Sequence, residues 1–219
     1  MGEEEGNVGT TIRAQIAGFG AREAILDVPD PDRRLLDLCR QGDAHAFETL
    51  FRKYQTYVYN IGLGMLSNSE DAADVTQETF LRLHRSLDSF RGDSSFSTWL
   101  YRVAVNLCIT ELRRKSRTRF QFLDDLAHDE DATFTEDSGP TPDEAIALEE
   151  DRRVVHQVLR TLPPDYRAIM VLRHFQQLAY EEIAEVLGLS LSQVKTRLFR
   201  ARKMFKDRFQ AYAGEGHAV

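Results

Sequence analysis

From Phe120 to Glu150 the chain carries eleven acidic residues and not one lysine or arginine. Carboxylates crowded this way cannot be taken out of water together, because unpaired buried charge costs more than a core returns. The stretch also holds Thr, Ser and Gly between its acids, so residues 116–141 are expected to be a flexible acidic linker. It splits the 219 residues into two blocks, about 31–115 and 142–212. Residues 1–30 mix Gly, Glu and Ala with weak periodicity. They are expected to be a flexible extension, with at most a short helix near Arg22–Leu26. Residues 213–219 read as a tail, and no internal repeat is visible.

Both blocks predict helices, and the fold class is all-α: two small helical domains on either side of the linker. Alternating apolar and polar positions, the mark of a strand, are missing. In the first block Asp43 can cap a helix whose Phe47, Leu50, Phe51, Tyr54, Val58 and Ile61 recur every three or four residues on one face. Ser69 can cap a second helix, about Glu70–Leu87. Ser94 or Ser95 can start a third that runs to about Lys115 and buries Phe96, Leu100, Val103 and Leu107. The second block opens on Thr141-Pro142-Asp143-Glu144, a capping-box pattern with proline at the first helical position. That helix should end near Arg160, before Pro163-Pro164. Pro164 can start another that ends near Gln176.

Net charge is −7, which by itself argues against a polyanionic partner. The charge is segregated, however. Residues 191–208 hold seven basic residues and one acid, Asp207, and five of the seven positions from Arg113 to Arg119 are basic. Local sign governs what a surface attracts. The basic C-terminal run sits in a specific frame. A short helix fits Tyr180–Leu187, with Ile183, Ala184 and Leu187 inward. Gly188 stands where a left-handed residue ends a helix. Ser190-Leu191-Ser192-Gln193 then offers a second capping box. The helix that follows places Val194, Leu198, Ala201 and Phe205 on one buried face. Ser192, Gln193, Thr196, Arg197 and Arg200 fall on other faces near its start. Two helices joined by such a turn form a helix-turn-helix, whose second helix offers its first side chains to base edges in the major groove. Arginine pairs with guanine, while Gln and Ser pair more flexibly. Lys195, Lys203 and Lys206 would meet phosphates.

The first block carries two further surfaces. Asp71, Asp74 and Glu78 form an acidic stripe, with Gln77 and Arg82 nearby, and such a stripe either faces solvent or docks a basic partner. The segment from Phe90 to Arg102 mixes aromatics with polar loop residues, and Asn106 and the basic Arg113-Arg114-Lys115 follow. Rings beside cations suit unpaired bases, which stack while their phosphates are neutralised. Arg102, Asn106 and Arg113 share a helix face. Phe96 reads equally as a core residue, and for Trp99 the core is the favoured reading.

Three segments, in this order, carry a resemblance: Asp71-Ala72-Ala73-Asp74-Val75-Thr76-Gln77-Glu78-Thr79-Phe80, Phe96-Ser97-Thr98-Trp99-Leu100-Tyr101-Arg102-Val103-Ala104-Val105-Asn106, and Tyr180-Glu181-Glu182-Ile183-Ala184 through Val194-Lys195-Thr196-Arg197-Leu198-Phe199-Arg200-Ala201-Arg202. Together they resemble the extracytoplasmic-function (ECF) group of bacterial sigma factors, over about residues 31–115 and 142–210. The resemblance implies that the protein binds core RNA polymerase and directs it to promoters. The acidic helix resembles region 2.2, which docks on the clamp helices of the largest polymerase subunit, and Asp71, Asp74, Gln77, Glu78 and Phe80 take the docking positions. Arg91 to Arg114 resembles regions 2.3 and 2.4, which open the −10 element and hold a flipped non-template base. Asp93, Ser95, Phe96, Trp99, Arg102, Asn106, Arg113 and Arg114 fall there. Flipping costs a few kcal/mol of stacking, which a preformed pocket would offset. Val154–Leu172 resembles region 4.1, which meets the polymerase flap. The helix-turn-helix resembles region 4.2, which reads the −35 element, with Ser192, Gln193, Lys195, Thr196, Arg197, Arg200 and Lys203 toward DNA. The linker would thread toward the RNA exit channel, where its charge mimics nucleic acid. An anti-sigma partner is a further expectation, and no cofactor is implied. The extension before residue 31 has no counterpart in the family pattern.

Other readings explain less. A dimeric repressor shares the helix-turn-helix but leaves the acidic helix and aromatic loop without a role. An enzyme would need a phosphate loop, a nucleophile motif or a metal-spaced cluster, and none is present. His45, His84, His128, His156, His174 and His217 are scattered, so neither catalytic nor metal-ligating residues are expected. Cys39 and Cys108 lack a short spacing, no apolar run nears the roughly 20 residues a bilayer span needs, and the MGEEEGNVGT start lacks a basic region with an apolar core. A reduced cytoplasmic protein without membrane insertion is expected.

Overall fold

A computed structural model describes residues 30–87, 90, 92, 94–121 and 142–215. The expected extension before residue 30, Arg91, Asp93, most of the acidic linker and the last four residues lie outside them. The regular elements run α1 (Arg33–Arg40), α2 (Ala44–Leu66), α3 (Ser69–Ser86), α4 (Phe96–Gln121), α5 (Pro142–Thr161), α6 (Pro164–Met170) continued by a π-helical turn (Val171–Phe175), α7 (Tyr180–Leu187) and α8 (Leu191–Glu215).

Local chemistry sets most of these boundaries. The Asp43 carboxylate accepts from the His45 and Ala46 amides, occupying two donors that the first turn of α2 leaves open. At α3 the cap is Asn68, not the expected Ser69, and its side chain accepts from the Asp71 amide at 2.8 Å. Ser95 serves α4, its Oγ accepting from the Thr98 amide at 3.2 Å. α4 continues to Gln121, past the expected end near Lys115. The cations from Arg113 to Arg119 lie on its last turns, where the helix dipole favours positive charge.

α2 buries Leu50, Tyr54, Val58 and Ile61, and α3 buries Val75, Phe80 and Leu83 against it. On α4 the expected stripe is too narrow. Phe96 and Leu100 are fully buried, but Val103 and Leu107 are only half-buried, while Tyr101, Ala104, Val105 and Cys108 are inside. The reason is tertiary: α4 packs on α2 and α3 along one side and on α7 along another.

The two blocks do not keep separate cores. One apolar cluster runs from Leu36 to Phe205. Gly64 of α2 meets Val171 so closely that a Cβ there would lie 2.8 Å from Val171 Cγ2. Gln176 Nε2 donates to the Tyr57 carbonyl at 3.3 Å. Arg167, 5% exposed, donates to the Met65 carbonyl at 2.5 Å and to the carbonyls of Arg160 and Leu162. Its guanidinium thus sits at the C-terminal ends of α2 and α5, where carbonyls lack helical partners and the dipoles are negative.

Candidate nucleic-acid interface

α7 and α8 form the predicted helix-turn-helix. Gly188 adopts φ +64°, and the Leu189 amide closes the end of α7 on the Ala184 carbonyl at 2.9 Å. The capping box of α8 is reciprocal: the Gln193 amide donates to Ser190 Oγ at 3.3 Å, and Gln193 Oε1 accepts from the Ser190 amide at 2.8 Å. Val194, Leu198, Ala201 and Phe205 are buried, as the spacing predicts. On α7 the buried pair is Ile183 and Val186, with Ala184 and Leu187 only partly covered.

The opposite side of α8 is open to solvent. Ser192, Gln193, Lys195, Thr196, Arg200 and Lys203 are all exposed there. Arg197 stands apart: half-buried, it faces Asp165 of α6 at 3.8 Å. Phe199, not singled out from the sequence, is 71% exposed. It lies four residues after Lys195 and three after Thr196, on the outer face, so the signal was an aromatic off the buried stripe. Arg202 is also exposed, and its Nε–H points to His174 Nε2 at 3.4 Å. Burial, aided by Arg202 and Arg173, pushes the His174 imidazole down to about 4, so it is neutral near pH 7 and can accept.

The first block presents two surfaces. On α3, Asp74 and Gln77 are exposed, and Glu78 lies beside them holding Arg82 at 2.8 Å. Asp71 is turned toward Lys115 of α4 in an ion pair. Phe80 is 4% exposed and packs edge-on against Phe51, with ring centroids 4.7 Å apart. It belongs to the core and does not offer its ring to the direct docking contact expected of it.

Phe96 is likewise interior, at 0% exposure, with its ring against Tyr54, Phe90 and Trp99. A fully enclosed ring cannot stack on a base, so Phe96 supports the surface and does not form it. Trp99 is half-buried over Phe90 and Phe96. Ser95 Oγ joins Thr98 Oγ1 at 2.8 Å and Ser97 Oγ at 3.1 Å, a hydroxyl cluster at the start of α4. Farther along, Asn106, Arg113 and Arg114 are exposed. Arg114 grips Glu111 through two bonds of 2.8 and 2.6 Å, which hold the Glu111 carboxyl below its usual range. Arg102 is half-buried and donates from Nη2 to the Glu185 carbonyl of α7 at 2.5 Å.

This combination, an acidic helix, an aromatic segment opening a basic helix and a separate helix-turn-helix, has counterparts among known proteins. Residues 50–118 match the sigma-70 region 2 family, and residues 152–205 match the sigma-70 region 4 family. The RNA polymerase sigma-H factor of Pseudomonas aeruginosa is 35% identical over 186 residues, covering 83% of this chain and 95% of that one. The ECF RNA polymerase sigma-E factor of Haemophilus influenzae is 37% identical over 183 residues, covering 82% and 95%. The chain belongs to the ECF group of the sigma-70 family. This sigma factor also shares its fold with solved structures. CnrH, solved with the cytosolic domain of CnrY, superposes with a TM-score of 0.59 at 24% identity over 83% of this chain and 99% of that one. The sigma factor RpoE of Bartonella quintana, solved with the anti-sigma factor NepR, gives a TM-score of 0.59 at 20% identity over 74% and 94%. Among the described residues no helix is long and apolar enough to cross a membrane.

Proposed function

We propose that this sigma factor binds core RNA polymerase and directs it to promoters, reading the −35 element through α8 and the −10 element through α4 and the connection before it. The observation that carries the reading is the outer face of α8. A helix buried by Val194, Leu198 and Ala201 presents Ser192, Lys195, Thr196, Phe199, Arg200 and Lys203 to solvent, just after a tight turn. Arg200 suits a guanine edge, the lysines suit phosphates, and the Phe199 ring suits a thymine methyl. Asp74, Gln77 and Glu78 form the polymerase-docking patch in this reading. Asn106, Arg113 and Arg114 line the −10 side, which Arg102 joins once its bond to Glu185 opens. An anti-sigma protein is the regulatory partner this reading expects, in keeping with the complex with an anti-sigma factor in which one protein of this fold was solved.

The test separates the surfaces. Arg200→Ala is expected to weaken holoenzyme binding to a −35 duplex about tenfold, with the loss of one good base contact, while core polymerase is still retained in pull-down. Loss of core binding with intact duplex binding would give α8 another role. Charge reversal at Asp74 and Glu78 should do the opposite, weakening assembly with core. Asn106→Ala should slow promoter opening more than closed-complex formation, and equal effects on both would remove it from the opening step.

A further inference from the structure

The family match begins at residue 50, yet α1 and the residue preceding Pro31 are tied to the −10 side of the molecule. Two side chains make the ties. Arg40, at the last turn of α1, donates from Nη2 to the Phe90 carbonyl at 2.6 Å and from Nε to the Leu87 carbonyl at 3.4 Å. Asp37 steadies it at 2.8 Å. The Leu87 carbonyl also accepts the Phe90 amide at 3.3 Å, in the turn that follows α3. Asp30 acts at the other edge. Its Oδ2 accepts the Phe96 amide, the first of α4, at 2.6 Å, and its Oδ1 accepts the Asp32 amide at 3.0 Å. Ser95 occupies the Thr98 amide, so the Phe96 donor is one that the local cap leaves open. The anchor behind Asp30 is firm. The Asp32 carboxylate is 1% exposed and takes hydrogen bonds from Lys53 and Tyr54 of α2, and Tyr54 packs on Phe96 with centroids 5.3 Å apart. Leu36 is buried and fixes α1 itself.

We infer that Asp30 and Arg40 are positioning residues that hold the end of α3 and the start of α4 at a set separation. They thereby place Ser95 and Trp99 for capture of an unpaired −10 base. The inference rests on the −10 reading given under Proposed function. Neither residue touches DNA in it. Their bonds go to backbone at both edges of one connection, so they set where those edges, and with them Ser95 and Trp99, stand. A negative carboxylate at a helix start and a cation at carbonyls past a helix end are each favoured by the local dipoles.

Trp99 is the single tryptophan of the chain and packs on Phe90 and Phe96, one at each edge of the connection. Its emission in the free full-length protein therefore reports the clamp without DNA. Asp30→Ala and Arg40→Ala should each shift Trp99 emission to the red and expose the Phe96 amide to hydrogen exchange. In holoenzyme, each should weaken binding of the single-stranded non-template −10 oligonucleotide from a promoter this holoenzyme transcribes, about tenfold for a lost charge-assisted bond. Core retention and −35 duplex binding should hold. Asp30→Asn, whose one amide oxygen can accept the Phe96 amide but not the Asp32 amide as well, should recover part of both readouts, more than Asp30→Ala. Arg40→Lys should not, since one ammonium cannot span both carbonyls. The double alanine variant should lose less than the product of the two single losses, because both act on one connection. Unchanged oligonucleotide binding in variants whose Trp99 has shifted would overturn the functional role. An unshifted Trp99 with a protected Phe96 amide would overturn the clamp itself. If wild-type holoenzyme does not prefer that oligonucleotide over a scrambled one, the −10 reading fails, and Trp99 emission and amide exchange still decide the clamp.

Discussion

Arg167 illustrates how little of a residue's work its identity reveals. It reads as one more cation in a charged stretch, yet it is buried with three backbone carbonyls around it, one from the other half of the chain. Burial lowers its guanidinium to about 10, so it stays charged near pH 7. Arg167→Met should cost about 3 kcal/mol in urea unfolding, because the carbonyls of Met65, Arg160 and Leu162 lose their donor together. Arg167→Lys should recover only part of that, since an ammonium cannot span the fork. His156 is a second buried group, packed edge-on against Phe175. Burial, then Arg152, depresses it to about 4 from the ordinary 6.5. Between those values the unfolded chain binds more protons than the folded one. Its contribution to stability is therefore full above pH 6.5 and is lost as pH falls toward 4. That contribution is on the order of 3 kcal/mol, and His156→Phe should flatten stability over that window, as read by thermal melts from pH 7 to 4. Neither burial could be read from the chain, because local periodicity does not tell which polar residue a distant helix will cover.

At the scale of the element, the C-terminal half was the most legible. The α7 boundaries, Gly188 and the Ser190–Gln193 box are set by bonds within a few residues, and short-range chemistry is what sequence patterns record. Ser190→Ala should cost about 1 kcal/mol and speed hydrogen exchange at the Gln193 and Val194 amides. The same variant should weaken −35 duplex binding, since Ser192 and Lys195 sit in the frayed turn. Longer elements were read less well. α4 buries two sides because α7 lies on it, which widened the stripe beyond Phe96, Leu100, Val103 and Leu107. Likewise Phe96 fits both a core and a surface role, and Phe80 is expected at a docking position from the resemblance; packing places both in the core.

For the molecule as a whole, the decisive contact is between blocks. Gly64 admits Val171, whose β-branched side chain cannot turn aside easily. Gly64→Ala should destabilise by about 1–3 kcal/mol through overpacking, and small-angle scattering should show a larger radius of gyration as the blocks part. Adding Val171→Ala should restore the compact form; if it does not, the close approach is not what holds the blocks together. The same packing turns Arg102 onto Glu185, a pairing 83 residues apart that no local pattern encodes. By itself the sequence determined most of the helices, the caps at Asp43 and Ser190, the helix-turn-helix and the family, because these depend on hydrogen bonds and apolar periodicity over a few residues. Only the tertiary structure decided that the two blocks share one core, that Arg102 and Arg197 are engaged while Arg200 and Phe199 stand free to solvent, and that Asp30 and Arg40 grip one connection. Those outcomes depend on which surfaces exclude water from each other across long stretches of chain, and that is a property of packing and not of local order.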